Sequence, residues 1–126
     1  MMIDVKVIPH KEQRYETVGD WWFNPDNTRL TIRVSRMGNE DYEILVALHE
    51  QVEALLCLKR GVCEKKITAF DIEFEKNRAE DDFSEPGDSP DAPYRKEHFF
   101  ATSIERLIAA ELGVDWKEYD DAIQAL

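Results

Sequence analysis

The chain has 126 residues, 43% of them hydrophobic and 34% charged, with a formal net charge of −11. That length and apolar content suit one folded domain with its own core, and exclude a disordered chain. The acidic balance excludes a general nucleic-acid binder and an anionic-membrane binder, because both need clustered Lys and Arg.

Residues 3–8 alternate apolar and polar up to Pro9 and predict a half-buried strand, followed by a polar connector from His10 to Tyr15. Thr17 to Phe23 contains Val18, Trp21, Trp22 and Phe23 and predicts a second strand, with Gly19 as a candidate bulge. Asn24-Pro25-Asp26-Asn27 is turn chemistry, and Arg29 to Ser35 then alternates cleanly, with Leu30, Ile32 and Val34 on one face. The last two strands form a hairpin. Residues 1–37 are therefore expected to make a short antiparallel sheet of about three strands.

From residue 40 the pattern becomes helical. Asn39 or Asp41 caps a long helix, Asp41 to Arg60, which ends at Gly61 after a cationic last turn. On a helical wheel Ile44, Leu45, Leu48, Val52, Leu55 and Leu58 form one apolar stripe. His49 and Glu53, four residues apart, stack on the flank of that stripe between Leu56 and Val46. Enclosed there, they need partners, since an unpaired buried charge costs several kcal/mol.

A second helix, Glu64 to about Arg78, has Ile67, Phe70 and Phe74 on its inner face, bordered by Asp71 and Glu75. Residues 79–94 hold three prolines, one glycine and six acids with no base before Arg95, the composition of a solvated loop. Its functional alternative is a lid or an acidic contact arm. A third helix, Arg95 to Leu112, carries a stripe of Phe100, Ile104, Leu107, Ile108 and Leu112. Glu97 falls within that stripe and His98 on its edge near Glu105. A short terminal helix from Asp115 packs through Trp116, Tyr119, Ile123 and Leu126. The fold class is α+β: one domain over residues 1–126, with a sheet at 1–37 and a helical part at 40–126.

Cys57 and Cys63 read as free thiols of a reducing compartment, and their spacing makes a poor zinc site. No apolar run is long enough for a signal peptide or a bilayer span, so the expected location is the cytoplasm.

A helix carrying His-Glu-x-x-His presents two metal ligands on one face and a glutamate that activates water. This chain reads His49-Glu50-x-x-Glu53, with a carboxylate at the second ligand position. A third ligand has to come from a later helix, and the candidates are His98, its neighbour Glu97, then Asp71 or Glu75. His49, Glu53 and His98 form a two-histidine, one-carboxylate set that suits zinc, and also iron or manganese. Without a cofactor, His49 and Glu53 instead hydrogen-bond to each other or to Arg14, Arg95 or Arg106. Glu50 lies about 100° from His49 on the wheel, so a catalytic role requires that side to line a cleft.

The order of a small sheet, a His-Glu helix and a later ligand-bearing helix is similar to a minimal zincin-like metallopeptidase core, over Arg29 to about Glu111. The resemblance implies Glu50 as general base and His49, Glu53 and His98 as ligands of a metal-dependent hydrolase, or of a degenerate relative that keeps only the metal. Glu53 departs from the standard peptidase pattern. The chain also resembles small phage- and prophage-encoded proteins through the stretches ALHEQVEALL and KEHFFATSIERL, which implies no particular activity.

Two other readings use the same residues. Magnesium-dependent pyrophosphohydrolases bind their ion through acids on facing helices, which Glu50, Glu53, Asp71, Glu75 and Glu97 imitate, although His49 suits magnesium poorly. A non-enzymatic phage-type inhibitor or adaptor would meet a basic protein partner through the acidic loop or through Trp21-Trp22-Phe23. Substrate, partner and oligomeric state are not written in the sequence.

Overall fold

A computed structural model describes residues 1–126. Three strands, β1 (Met2–Ile8), β2 (Gly19–Phe23) and β3 (Arg29–Ser35), form one sheet in the order β1-β3-β2. β3 takes the centre because its Leu30, Ile32 and Val34 face is wholly buried. β2 pairs with it antiparallel through the 24–28 turn, where Asn27 adopts φ 57° and the Arg29 N–H donates to Asn24 Oδ1 at 2.8 Å.

β1 corrects the expected all-antiparallel sheet, because it runs parallel to β3, with Ile3, Val5 and Val7 beside Leu30, Ile32 and Val34. Alternation specifies a strand's faces but not its direction. Direction comes from the connector between Ile8 and Gly19, which passes the end of β3 to reach the far side of the sheet. It is tied down there: Ser35 N–H donates to Val18 O at 2.8 Å, and the Gln13 amide reaches Val18 O and Arg33 O at 3.2 and 3.3 Å. Gly19 pairs in regular register with Val34 and is no bulge.

Four helices follow: α1 (Glu40–Lys59), α2 (Glu64–Lys76), α3 (Arg95–Glu111) and α4 (Trp116–Gln124). Asn39 caps α1 by accepting from Tyr42 N–H at 3.2 Å. At its other end Gly61 has φ 69°, and the Val62 N–H donates to Cys57 O at 2.9 Å, a glycine-dependent stop. α1 lies across β2 and β3, and α3 packs along α1. Residues 86–88 form one 3-10 turn inside the acidic loop. No helix is long and apolar enough to cross a membrane.

The helices sit on different faces from those their apolar stripes predict. α1 buries Leu45, Val46, His49, Glu50, Glu53, Ala54 and Cys57 and leaves Ile44 exposed. α3 buries Glu97, His98, Ala101, Glu105 and Ala109, while Phe100 and Leu107 of the expected stripe are 51% and 64% exposed. The helices turned polar groups inward because those groups are partners of one another. Trp21 is likewise buried and Trp22 partly covered, with the Arg14 guanidinium 4.3 Å above the Trp22 ring, so the three aromatics form no open patch.

Urea denaturation checks this arrangement. Ile32→Ala is expected to lose about 2–5 kcal/mol of stability by opening a cavity at the sheet centre. Leu107→Ala, on the outward face of α3, is expected to change stability by about 0.5 kcal/mol or less. A large loss at Leu107 would contradict the observed orientation of α3.

Candidate metal centre

The cluster is assembled from β2, α1, α3, α4 and the acidic loop. Glu53, one turn after His49 on α1, points inward and is 5% exposed. Its Oε2 accepts from His49 Nε2 and from His98 Nδ1, each at 3.1 Å, and its Oε1 accepts from the Trp21 indole N–H at 2.9 Å. The two imidazole rings meet edge to face with centroids 4.9 Å apart.

The opposite nitrogen of each imidazole is also held. His49 Nδ1 donates to Glu105 Oε1 at 2.8 Å, and Tyr119 donates its hydroxyl proton to Glu105 Oε2 at 2.5 Å. His98 Nε2 faces Glu85 Oε2 at 3.0 Å and Asp88 Oδ1 at 3.2 Å. Gly87, between those two acids, lies so close to the His98 ring that an added Cβ would stand 2.4 Å from Cγ. The acidic loop is thus partly a wall of the cluster. Its central turn is clamped onto His98.

With all four ring nitrogens facing carboxylates, both histidines carry two protons. Burial alone would depress them, but hydrogen bonds to Glu105 and Glu53 push His49 well above its ordinary value. Bonds to Asp88, Glu53 and Glu85 likewise outweigh burial and bring His98 up to about 12. Burial disfavours the Glu53 charge, yet the two imidazoles override it and hold the carboxyl at about 2.

Glu50 differs from its neighbours. It is 9% exposed, makes no hydrogen bond, and borders a cleft of about 450 Å³ together with His49, Glu53, His98 and Asp71. Burial, then the charge of Glu53, push its carboxyl well above the usual range. The carboxylate rests against Gly19 of β2, where a Cβ would come within 2.6 Å of Oε1. The cleft that a role for Glu50 requires is therefore present.

Of the residues singled out in the sequence, the fold brings His49, Glu53 and His98 together, with ligand atoms all within 4.8 Å of one another. Glu97, the alternative ligand, lies outside that group and pairs with Arg60, whose Nη1 donates to its Oε2 at 2.8 Å. Glu75 pairs with Arg78 at 2.6 Å. Asp71 stands apart in the cleft, accepting from the Tyr94 hydroxyl at 2.6 Å and the Tyr15 hydroxyl at 2.9 Å. Of the five acids of the magnesium reading, Glu50, Glu53, Asp71 and Glu75 line the cleft, and Glu97 lies outside it. None of the three candidate arginines enters the cluster either: Arg14 bonds to Asp20, Arg95 lies over Phe99 and Arg106 over Trp116. Glu105, Tyr119, Trp21, Glu85 and Asp88 were not assigned to the site from sequence. Only Glu105 left a signal there, seven residues after His98 and so on the same face.

His49, Glu53 and His98 lie close enough together that they could hold one ion. Two ligands of one tetrahedral zinc stand roughly 3.3–3.4 Å apart, close to the 3.1 Å separating Glu53 Oε2 from each imidazole nitrogen. The nitrogens turned away from that point keep their protons on Glu105 and on Glu85 and Asp88, the outer bonding that orients metal-binding histidines. A scan against protein-family models finds no match, and searches of curated proteins and of solved structures find no significant relative.

Asp71 offers a pH test outside the ligand set. Burial, opposed by the hydrogen bonds from Tyr94 and Tyr15, raises its pKa from 3.8 to about 7. The contribution of the protonated carboxyl is complete below about pH 4 and is lost as pH rises through about 7. Relative to wild type, Asp71→Asn is therefore expected to gain stability steadily over that interval, by on the order of a few kcal/mol, and to hold a constant difference above it. Urea midpoints of both proteins across that range are the measurement. Parallel curves would show that Asp71 is ionised throughout.

Proposed function

We propose that this chain is a zincin-like metal-dependent hydrolase, or a relative of one that has kept the ion without peptidase activity. His49, Glu53 and His98 are its ligands. Zinc is the best match to a two-nitrogen, one-carboxylate set, with iron and manganese next. The observation that carries the reading is the matched outer bonding. Each imidazole presents one nitrogen to Glu53 Oε2 and has the other held by a carboxylate of a different element. Charge supports it as well, because Glu50, Glu53, Glu105, Glu85 and Asp88 surround only two imidazoles and no arginine or lysine joins them.

A divalent ion at this point supplies Lewis-acid polarisation of a bound carbonyl or phosphoryl oxygen. The chain's own residues do the rest. His49 Nε2 and His98 Nδ1 would hold the ion after giving up their protons, with Nδ1 of His49 still donating to Glu105 and Nε2 of His98 to the loop acids. Trp21 holds Glu53 Oε1 so that Oε2 keeps its aim. Glu50, in the cleft with a raised pKa and no competing hydrogen bond, takes a proton from the attacking water and passes it to the leaving group.

One observation favours a second reading, a metal-free interaction protein of the phage type. The two imidazolium rings and their carboxylates already satisfy one another, and Glu50 alone lacks a hydrogen bond. The free thiols, Cys57 buried and Cys63 exposed, accord with a reducing compartment such as the cytoplasm under either reading.

Elemental analysis of protein purified without a histidine tag separates the two. Stoichiometric zinc, iron or manganese is expected, and His49→Ala is expected to lose it. Glu50→Gln is expected to keep the metal and, against a hydrolysable substrate, to lose roughly 10²-fold or more in rate. Folded protein that takes up none of the three metals on reconstitution would remove the hydrolase and leave the metal-free reading.

A further inference from the structure

β1 is an edge strand with β3 as its one neighbour in the sheet, and five of its seven residues are exposed. At the two ends of its parallel ladder the Met2 N–H donates to Thr28 O at 2.9 Å, and Ile8 O accepts from the Arg36 N–H at 2.7 Å. Even-numbered residues thus bond to β3, so the N–H and C=O groups of Ile3, Val5 and Val7 point out from the sheet. The side chains of those three lie in register with Leu30, Ile32 and Val34 on the core face. Their β3 partners are completely buried, yet they are 40%, 44% and 39% exposed, because α1 packs on β3 and β2. Two of the usual protections of an edge are absent along the strand, since its seven residues contain no proline and the register has no bulge; its charges are Asp4 and Lys6.

We propose that β1 is the interface of a symmetric homodimer, in which a second copy of this chain pairs antiparallel across a two-fold axis at Val5. The segment Ile3-Asp4-Val5-Lys6-Val7 is self-complementary about its centre. That axis sets Val5 against the partner's Val5, Ile3 against the partner's Val7, and Asp4 against the partner's Lys6. The backbone agrees with the side chains. The outward-pointing groups of Ile3, Val5 and Val7 make these the hydrogen-bonded pairs, with two bonds each. Asp4 and Lys6 then fall in the closer, non-hydrogen-bonded positions, with Cα atoms about 4.5 Å apart. A slip of two residues either way puts Asp4 against Asp4 or Lys6 against Lys6, so charge selects the register. The axis runs perpendicular to the sheet, which keeps both α1 helices on one face. The six apolar side chains from the two β1 strands then share a continuous floor in a six-stranded sheet.

Sedimentation equilibrium across a wide concentration range tests the interface. The wild-type chain is expected to dimerise in a concentration-dependent way. Lys6→Asp is expected to weaken the dimer about tenfold or more, since the symmetry creates two like-charge pairs. Lys6 forms no ion pair within its own chain, whereas Asp4 holds Arg33 at 3.2 Å, so Lys6→Asp is the cleaner single variant. The double variant Asp4→Lys/Lys6→Asp is expected to recover most of the lost affinity, because the exchanged charges again stand opposite each other. Val5→Pro, which removes an N–H directed away from β3, is expected to abolish the dimer. Circular dichroism identifies any variant that fails to fold, and the charge variants decide the matter if Val5→Pro does. A wild-type chain that stays monomeric at every concentration, or a dimer indifferent to Lys6→Asp, would overturn the proposal.

Discussion

A single buried carboxylate, Glu53, sets the conditions for most of this structure. Removed from water, it must be met by donors, and its three come from different places: the Trp21 indole on β2, His49 one turn back on α1, and His98 on α3. Meeting them fixes how the sheet, the central helix and the third helix approach one another. It also explains why α3 turns Glu97, His98 and Glu105 inward and leaves Phe100 and Leu107 in solvent. A helix whose apolar stripe alone decided its rotation would do the reverse. Here the cost of leaving Glu53 and two imidazoles unpartnered exceeds the gain from burying two more apolar side chains, because an unpaired buried charge costs more than one such side chain returns.

The outer layer repeats the same logic at longer range. Glu105 is braced by Tyr119 of α4, and the acidic loop closes on His98 through Glu85, Asp88 and the close approach of Gly87. A segment whose composition reads as solvated surface therefore contributes two carboxylates and a glycine to the centre. Glu50 is the one member of the group left without a bond. It rests directly over Gly19 of β2, where an added Cβ would meet its carboxylate.

The sheet carries its own asymmetry. β3 is closed on both sides by neighbours and on its core face by α1, whereas β1 has one neighbour and little cover. Apolar side chains on an open edge strand are a standing invitation to pairing, and the order of charges along β1 restricts which pairing is favourable. This edge lies on the far side of β3 from the strand that carries Trp21, so the proposed association and the proposed metal site can be tested separately.

Local pattern in the chain was enough to define the strands, the helices and their ends. The hairpin at residues 24–28, the caps at Asn39 and Gly61 and the α+β class all follow from short-range backbone and turn preferences. The i,i+4 relation of His49 and Glu53, and their need for partners, were legible for the same reason. His98 was legible as a candidate because few residue types other than histidine supply a nitrogen ligand. Tertiary structure alone decided the direction of β1, the rotation of α1 and α3, and the placement of His98 beside Glu53 and of Glu97 beside Arg60. It also recruited Trp21, Glu105, Tyr119, Glu85 and Asp88. These outcomes depend on which buried polar groups meet across elements distant in sequence. Hydrophobic periodicity, which records one element at a time, does not contain that information.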